Sequence, residues 1–281
     1  MHIVDAQIHL WGESGAPAHH ALGGRNIFRY SDAVAAMDAA GVHAAINCPP
    51  IWDASAHAYA EEAASLHPDR FATLDWFDVN VADPLAALNE TLARRGVIGL
   101  RFLTESPAAI AASQNVLANL TWPQDTSVDW LWEELVARNV PVTFYGSALL
   151  PQIAAISARH PSLRITIDHF GTIGSTAPDG KLMQMSDLLE LSRLPNIAVK
   201  LSAAPAYAIG GYPYVSIHPM VRSLYDHYGP SRLFWGTDIT RLHVPWRDCV
   251  TMFTEQMPFL TSNDLTLIMG KAVCQWYGWA R

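Results

Sequence analysis

A regular alternation of short apolar runs with longer amphipathic segments constrains the fold of this chain more than any other feature. Eight runs of strand character are separated by stretches in which apolar residues recur every three to four positions. This rhythm is typical of βαβ units with a parallel sheet and not of a sandwich. The predicted strands are His2–Ile8, Val42–Asn47, Phe71–Phe77, Val97–Leu103, Val140–Gly146, Leu163–Asp168, Ile197–Leu201 and Leu233–Gly236.

Helices are predicted in the segments between and after these strands. Ser31 is placed to cap the first, and Thr261 with Asp264 has capping-box spacing ahead of the last. The predicted helices are Ser31–Ala40, Ala54–Leu66, Pro84–Arg95, Ser127–Asn139, Leu150–His160, Met185–Leu194, Ile217–Tyr228, Pro245–Gln256 and Thr261–Tyr277.

The number of units and the chain length together predict a barrel. Eight strand–helix units in 281 residues fit a (β/α)8 barrel, which averages about 250 residues. We therefore predict the α/β class and one domain over residues 1–281: a distorted (β/α)8 TIM-type barrel with extended βα loops. Three segments are too long for tight turns and are expected to border the mouth: Gly12–Arg29, Thr104–Gln124 and Ala203–Ser216.

Composition indicates which classes of binding partner and which cellular compartment to expect. The formal net charge is -8 and no segment clusters basic residues, so nucleic acid and anionic membranes are not expected partners. No leader pattern opens the chain and no apolar run is long enough to span a bilayer, which favours the cytoplasm. The three cysteines form no CxxC pair and are interpreted as core thiols in a reducing compartment. A small-molecule substrate is the expected partner, and the aromatic C-terminal helix is consistent with a homodimer.

Polar side chains stand at the carboxyl ends of several predicted strands, where barrel enzymes carry their catalytic groups. Period-two alternation is expected to send Asp5, Gln7 and His9 to one face, the barrel interior. Because buried polar groups need partners or a function, their convergence on one mouth indicates a site. The strand-end side chains are Gln7, His9, Arg101, Tyr145, His169 and Asp238.

Four motifs at these strand ends resemble the amidohydrolase-related proteins. They are VDAQIHLW at 4–11, IDHFG at 167–171, VKLS at 199–202 and FWGTD at 234–238, and the tail IMGKAVCQWYG extends the similarity nearly to the C-terminus. The branch includes sugar-acid lactonases, 2-pyrone-4,6-dicarboxylate hydrolases and aminocarboxymuconate semialdehyde decarboxylase. The motifs occur in the order found in the family, so the resemblance covers the whole chain.

The resemblance implies a role for each matching residue. His9 matches the second histidine of the HxH pair on the first strand, a metal ligand in the zinc members. His169 matches a histidine that ligates metal or polarises the scissile carbonyl. Asp238 matches the aspartate that takes a proton from the attacking water, and Arg101 resembles the arginine that binds a substrate carboxylate.

One position departs from the family pattern, because Gln7 stands where the first histidine of HxH is usual. An amide oxygen is a weak zinc ligand beside imidazole. His9, His169 and Asp238 would still be enough ligands for one divalent metal, zinc or manganese, with water in the fourth position. The resemblance to hydrolases thought to work without metal, together with Gln7, favours a metal-free site, and both alternatives stay open.

These features predict a hydrolase that opens a lactone or related cyclic ester of a small, carboxylated molecule. Asp238 would activate water, and His169 with His9 would polarise the carbonyl. Arg101 and Tyr145, with Gln7, would contact the substrate. No GxSxG elbow, Walker A loop or HExxH motif supports a rival chemistry.

Two alternative functions remain at this point: a metal-dependent, non-oxidative decarboxylase of an aromatic or enoic acid, and a non-catalytic small-molecule binding protein on the same scaffold. The site residues have alternatives of their own. Arg101 would be structural if it paired with Asp75. Arg241 is expected on a loop near the mouth, where a surface position is favoured over a substrate contact. His19 and His20, being adjacent, are not expected to form a metal pair.

Overall fold

Eight parallel strands form one sheet, hydrogen-bonded in chain order from β1 to β8, in a computed structural model that describes residues 1–12, 16–17, 20, 27–103, 128–145, 150–171 and 185–280. All eight predicted strands are present, and the prediction of a (β/α)8 barrel is confirmed. The strands are β1 Val4–Ile8, β2 Ala44–Asn47, β3 Phe71–Asp75, β4 Val97–Leu103, β5 Val142–Tyr145, β6 Ile165–Ile167, β7 Ile197–Leu201 and β8 Leu233–Trp235.

Helices follow the strands as the sequence pattern predicts, with one addition, the short helix α7. They are α1 Tyr30–Ala40, α2 Ala56–Leu66, α3 Pro84–Ala93, α4 Asp129–Ala137, α5 Leu150–Arg159, α6 Met185–Glu190, α7 Ala204–Tyr207, α8 His218–Tyr228, α9 Trp246–Thr254, α10 Ser262–Thr266 and α11 Ala272–Tyr277. A π-helical turn, Leu267–Lys271, joins α10 to α11. Among the described residues, no helix is both long and apolar enough to cross a membrane.

The two predicted helix caps have different outcomes. Thr261 and Asp264 form the expected capping box. Ser31 is not a cap, because α1 begins one residue earlier. Arg29 is the N-cap residue, and its backbone N–H donates to the Asp32 carboxylate at 3.1 Å. An acidic residue in the first turn therefore satisfies the backbone N–H of the N-cap residue.

Residues alternate between the two faces of the sheet. On β7, Ile197, Val199 and Leu201 pack in the large apolar cluster shared with the helices, while Ala198 belongs to a smaller cluster on the other face. Lys200 shares the face of Ala198 and is fully buried. The same alternation on the other strands places polar side chains inside the barrel at the carboxyl ends.

The first strand breaks this alternation. The register with β2 shifts between Asp5 and Ile8, so the prediction that Asp5 shares the face of Gln7 and His9 is wrong. The Asp5 carboxylate instead accepts hydrogen bonds from the Thr237 N–H at 2.8 Å and from Nε1 of Trp246 in α9 at 2.9 Å. A bulge of this kind re-aims side chains without a change of sequence pattern.

The barrel closes where β8 returns to β1. The backbone N–H of Asp238 donates to the Gln7 carbonyl at 2.7 Å, next to the Asp5 contacts. At the other end of the barrel, the Tyr277 hydroxyl of α11 lies 2.6 Å from Thr143 Oγ1 and donates to Thr166 Oγ1 at 2.9 Å. The C-terminal helix therefore covers the amino-terminal ends of the strands and leaves the carboxyl ends for the site.

Two of the three predicted long loops are described in part or in full. Trp11 and Phe28 form an antiparallel bridge across the first, which also carries His20. The third contains α7. The predicted loop Thr104–Gln124 lies outside the described residues.

Candidate active site

The strand ends bring all six predicted site residues together in one chain of contacts. Each of them is buried, with at most 6% of its surface exposed. Neighbouring members are joined by distances of 3.3 to 3.8 Å between polar atoms or 5.3 to 5.6 Å involving the Tyr145 ring. In order of contact the residues are Gln7, His9, Asp238, His169, Tyr145 and Arg101.

Asp238 is the central member of this chain. It follows β8 with a left-handed backbone (φ 50°). Its carboxylate lies 3.3 Å from His9 Nε2, 3.8 Å from His169 Nε2 and 3.6 Å from Arg241 Nη1. Burial would raise its pKa, but His9, His169 and Arg241 hold the pKa of Asp238 well below its usual value. Neither oxygen accepts a hydrogen bond of normal geometry from the described residues, so the carboxylate is a buried, ionised acceptor at the carboxyl ends of the strands.

His169 is oriented by Ser202 at the end of β7. The Ser202 oxygen accepts from the His169 backbone N–H at 3.3 Å and lies 2.7 Å from His169 Nδ1. Because Nδ1 is the only acceptor that the described residues offer to the serine hydroxyl hydrogen, we assign the hydroxyl as the donor to Nδ1, which puts the imidazole proton on Nε2. Burial lowers the pKa of His169 to about 4, so the ring is neutral and presents an N–H toward Asp238.

His9 is oriented in the opposite sense. Its Nδ1 lies 2.6 Å from the backbone carbonyl of Cys48, an acceptor, so Nδ1 carries the proton. The other nitrogen, Nε2, faces the Asp238 carboxylate at 3.3 Å. In the neutral ring two lone pairs would meet there, and a proton or a metal ion between them removes the repulsion.

Below the histidines lies a buried ion cluster on β4, β6 and β7. Asp168 accepts from Arg101 Nε at 2.7 Å and contacts Lys200 Nζ at 3.0 Å. Burial would raise the pKa of Asp168, but Lys200 and Arg101 more than compensate and lower it to about 2. Burial opposes and Asp168 favours the charged form of Lys200, and the net effect raises the pKa of Lys200. The cluster is therefore ionised at neutral pH.

The partner considered for Arg101 in the sequence is different from the one observed. Asp75 points toward α2 and α3, where it contacts His57 Nδ1 at 2.6 Å and Arg94 Nη1 at 2.8 Å. Arg101 pairs with Asp168 instead and lies 5.6 Å from the centre of the Tyr145 ring. It is thus held by a structural ion pair and also reaches the site.

Gln7 faces the site with its nitrogen. Its Oε1 accepts from Lys200 Nζ at 2.8 Å and from the Cys48 thiol at 3.2 Å. A lysine ammonium can only donate, which fixes the amide orientation. Burial raises the pKa of the Cys48 thiol to about 11, so this donor also keeps its proton. Gln7 Nε2 is left 3.4 Å from His9 Nε2, and Gln7 presents an N–H donor where the family usually has a metal-binding nitrogen.

Two further residues join the site that the sequence analysis placed elsewhere. Arg241, expected at the surface, lies beside Asp238 and is hydrogen-bonded to Tyr145. His20 is buried, with its ring 5.0 Å from that of His9. Arg241 follows FWGTD by only three residues, a proximity the pattern did show. No signal in the first long loop distinguished His20 from its neighbours.

The donor chemistry of the site fits a divalent metal. Ligand atoms of His9, His20 and Asp238 all lie within 4.8 Å of one another. Two imidazoles and a carboxylate are ligands that zinc prefers, and Asp238 offers buried oxygens that lack hydrogen-bond donors. The set predicted from the sequence contains His169 in place of His20, and that ligand role remains a prediction.

Comparison with known proteins identifies the family of the chain. The amidohydrolase family profile matches residues 4–265. L-fucono-1,5-lactonase of Burkholderia ambifaria is 39% identical over 92 residues, which are 32% of this chain and 30% of that protein. 4-sulfomuconolactone hydrolase of Hydrogenophaga intermedia is 38% identical over 76 residues, 26% of this chain and 23% of that protein. The alignments thus span less than a third of either relative.

The fold comparison covers the whole chain. A zinc-bound amidohydrolase from Burkholderia multivorans superposes with a TM-score of 0.79 at 19% identity, covering 99% of both chains. This likeness concerns the fold, while the family profile extends over most of the sequence. The motifs at the strand ends, the barrel and the profile lead to one conclusion: the chain belongs to the amidohydrolase family of enzymes.

Proposed function

We propose that the protein hydrolyses the ester bond of a small lactone that carries a carboxylate. The observation that carries the proposal is the buried, ionised Asp238 carboxylate, whose oxygens accept no hydrogen bond of normal geometry from the described residues and which lies 3.8 Å from His169 Nε2. Such a group is a general base that awaits a proton. The names of the two curated relatives, both lactone-opening enzymes, support the same bond type.

Attack begins with a water molecule beside Asp238. The carboxylate takes one proton as the water oxygen bonds to the lactone carbonyl carbon, and the carbonyl oxygen becomes an oxyanion. His169 Nε2–H and the Gln7 amide N–H face this region and donate to that oxygen. When the ring C–O bond breaks, the leaving alkoxide recovers the proton from Asp238, and the product is a hydroxy acid.

The remaining residues hold the substrate. Arg101 and Arg241 place two positive charges beside Tyr145, which suits a carboxylate near an oxygen-rich ring. Among these side chains, three positive charges (Arg101, Arg241 and Lys200) face two negative charges (Asp168 and Asp238), because Lys200 also contacts Asp168. One positive charge is therefore left for a substrate carboxylate. A divalent ion beside His9 and Asp238 would supply Lewis acidity at the same carbonyl.

Variant kinetics test the proposal. Asp238→Asn keeps the shape of the side chain and removes the base, so kcat for lactone opening should fall by about 10²–10⁴-fold. The assay follows acid release with a pH indicator across aldonolactones, muconolactones and carboxylated pyrones. Asp226→Asn, on the exposed side of α8 where Asp226 pairs with Arg222, is the matched control.

Two results would contradict the proposal. Full activity of Asp238→Asn would remove the general base. Release of carbon dioxide from an aromatic or enoic acid, with no lactone opened by the wild-type chain, would establish the decarboxylase instead.

A further inference from the structure

His20 is held in the site by contacts of its own. Its Nδ1 lies 3.0 Å from Thr240 Oγ1, just after Asp238 in the chain. The centre of its ring lies 4.5 Å from the centre of the Trp52 ring and 5.0 Å from that of His9, which it meets edge-on. His20 lies on the long loop after β1, yet only 6% of its surface is exposed. Its contact with Thr240, which follows β8, fixes the position of the ring.

Its position corresponds to the ligand that Gln7 does not supply. Lys200 and Cys48 take the Gln7 oxygen, so the amide turns an N–H toward His9 Nε2. An N–H donor cannot ligate a cation and repels one at short range. A metal in this barrel therefore needs another nitrogen close to His9 and Asp238, and His20 provides it within 4.8 Å.

His169 is less well placed to fill that position. Its Nε2 lies 3.8 Å from Asp238, but among the described residues the group with ligand atoms within 4.8 Å of one another contains His20 and not His169. The Ser202 hydroxyl also favours the tautomer with the His169 proton on Nε2, the nitrogen that faces the carboxylate. A protonated nitrogen is a hydrogen-bond donor and not a ligand. The Cys48 carbonyl orients His9 in the opposite sense, with the proton on Nδ1 and none on Nε2. Metal-binding histidines commonly donate their other ring N–H to a carbonyl in this way.

We propose that His20 replaces the missing first histidine, so that this chain binds one divalent transition-metal ion through His9, His20 and Asp238 while His169 remains outside the ligand set. Three protein ligands leave a fourth position for water. The assignment concerns metal binding and stands apart from the lactone proposal, because its test measures bound zinc and not turnover.

The experiment titrates the metal-stripped full chain with Zn²⁺ in competition with a chromophoric chelator. We expect one zinc per chain. His20→Ala should weaken zinc binding by at least about 100-fold. Thr240→Val removes only the hydroxyl that contacts His20 Nδ1, and it should weaken binding by a smaller factor, roughly 10–100-fold. His169→Ala should change the affinity by only a few-fold. His227→Ala is the matched control, because His227 is exposed on α8 and bonded to the Ser223 carbonyl.

A second variant and a second readout keep the test valid if His20→Ala does not fold. His20→Gln keeps a polar side chain of similar length, and substitution of Co²⁺ reports the ligand geometry through its visible absorption in both variants. Three results would each overturn the assignment: wild-type chain that binds no zinc, His20 variants that bind as tightly as wild type, or His169→Ala that loses as much affinity as His20→Ala.

Discussion

Replacement of Lys200 by methionine tests whether the buried ion cluster supports the barrel. Lys200 is fully buried, with Nζ 3.0 Å from Asp168 and 2.8 Å from Gln7 Oε1. Methionine has similar volume but no charge and no donor. It would leave Asp168 with Arg101 alone and Gln7 with only the weak Cys48 thiol donor.

The size of the effect follows from the cluster. Breaking a buried pair by removing one partner costs about 3–5 kcal/mol, and because Arg101 still compensates Asp168 we expect about 3 kcal/mol. For a chain of this size that lowers Tm by roughly 6–9 °C. As an independent scale, the lowered pKa of Asp168, from 3.8 to about 2, corresponds to about 2 kcal/mol of stabilisation of its charged form.

The pH dependence identifies the cause. A carboxylate whose folded pKa is lowered contributes stability that is fully present above 3.8 and is lost as pH falls toward 2. In Lys200→Met the pKa of Asp168 rises, so the ionised carboxylate destabilises the folded variant relative to wild type, and protonation of Asp168 removes that penalty as the pH falls. The difference in stability between the two should therefore be largest near pH 7 and should shrink below about pH 5.

The assay is urea unfolding at pH 7, 5 and 4, with Lys271→Met as the control because Lys271 is exposed. Equal losses at all three pH values would show that packing, not charge, is responsible. A loss at pH 7 no larger than that of the control would refute the reasoning altogether.

Three other outcomes are expected. Arg101→Lys should raise KM for carboxylated lactones about tenfold or more, with a smaller change in kcat, since lysine cannot keep the Asp168 contact and a forked contact to substrate together. KM for lactones without a carboxylate should be unchanged. An equal increase for both kinds of lactone would contradict carboxylate binding by Arg101. Gly99→Ala should destabilise the fold by about 1–3 kcal/mol in thermal unfolding, because its Cβ would lie 2.9 Å from the Pro141 carbonyl and 3.1 Å from the Tyr277 ring; an unchanged Tm would show that these neighbours move aside. Cys48 should resist iodoacetamide at pH 8 in the folded chain, because it is buried and its pKa is raised to about 11, and rapid alkylation seen by mass spectrometry would show that the barrel opens locally.

Sequence patterns predicted the elements well because apolar spacing directly reflects which face of a strand or helix is buried. The strand-end residues were found for the same reason, since Arg101 lies on β4 while His169 and Asp238 follow β6 and β8. Asp5 was misplaced because its neighbours form a bulge, and a bulge leaves no mark in the spacing of letters. His20 was missed because long loops have no period, so only the folded chain shows which of their side chains turn inward.

Lys200 illustrates a different limit. Its position in the VKLS motif was recognised, but its role depends on Asp168 and Gln7, which lie far apart in the chain and meet only across the barrel. Such pairings carry no local signal in a single sequence. The direction of the Gln7 amide, which decides whether it donates or ligates, follows from that pairing and so could not be predicted either.

The closure of the barrel between β8 and β1 has a consequence for how activity and stability are related. The backbone of Asp238 is bonded to Gln7 at this junction, and Thr237 is bonded to Asp5. The proposed catalytic geometry therefore depends on the last strand remaining bonded to the first. On heating or in denaturant, separation at this junction would move the proposed base away from its histidines while the other strands stay paired, so inactivation should precede the loss of secondary structure.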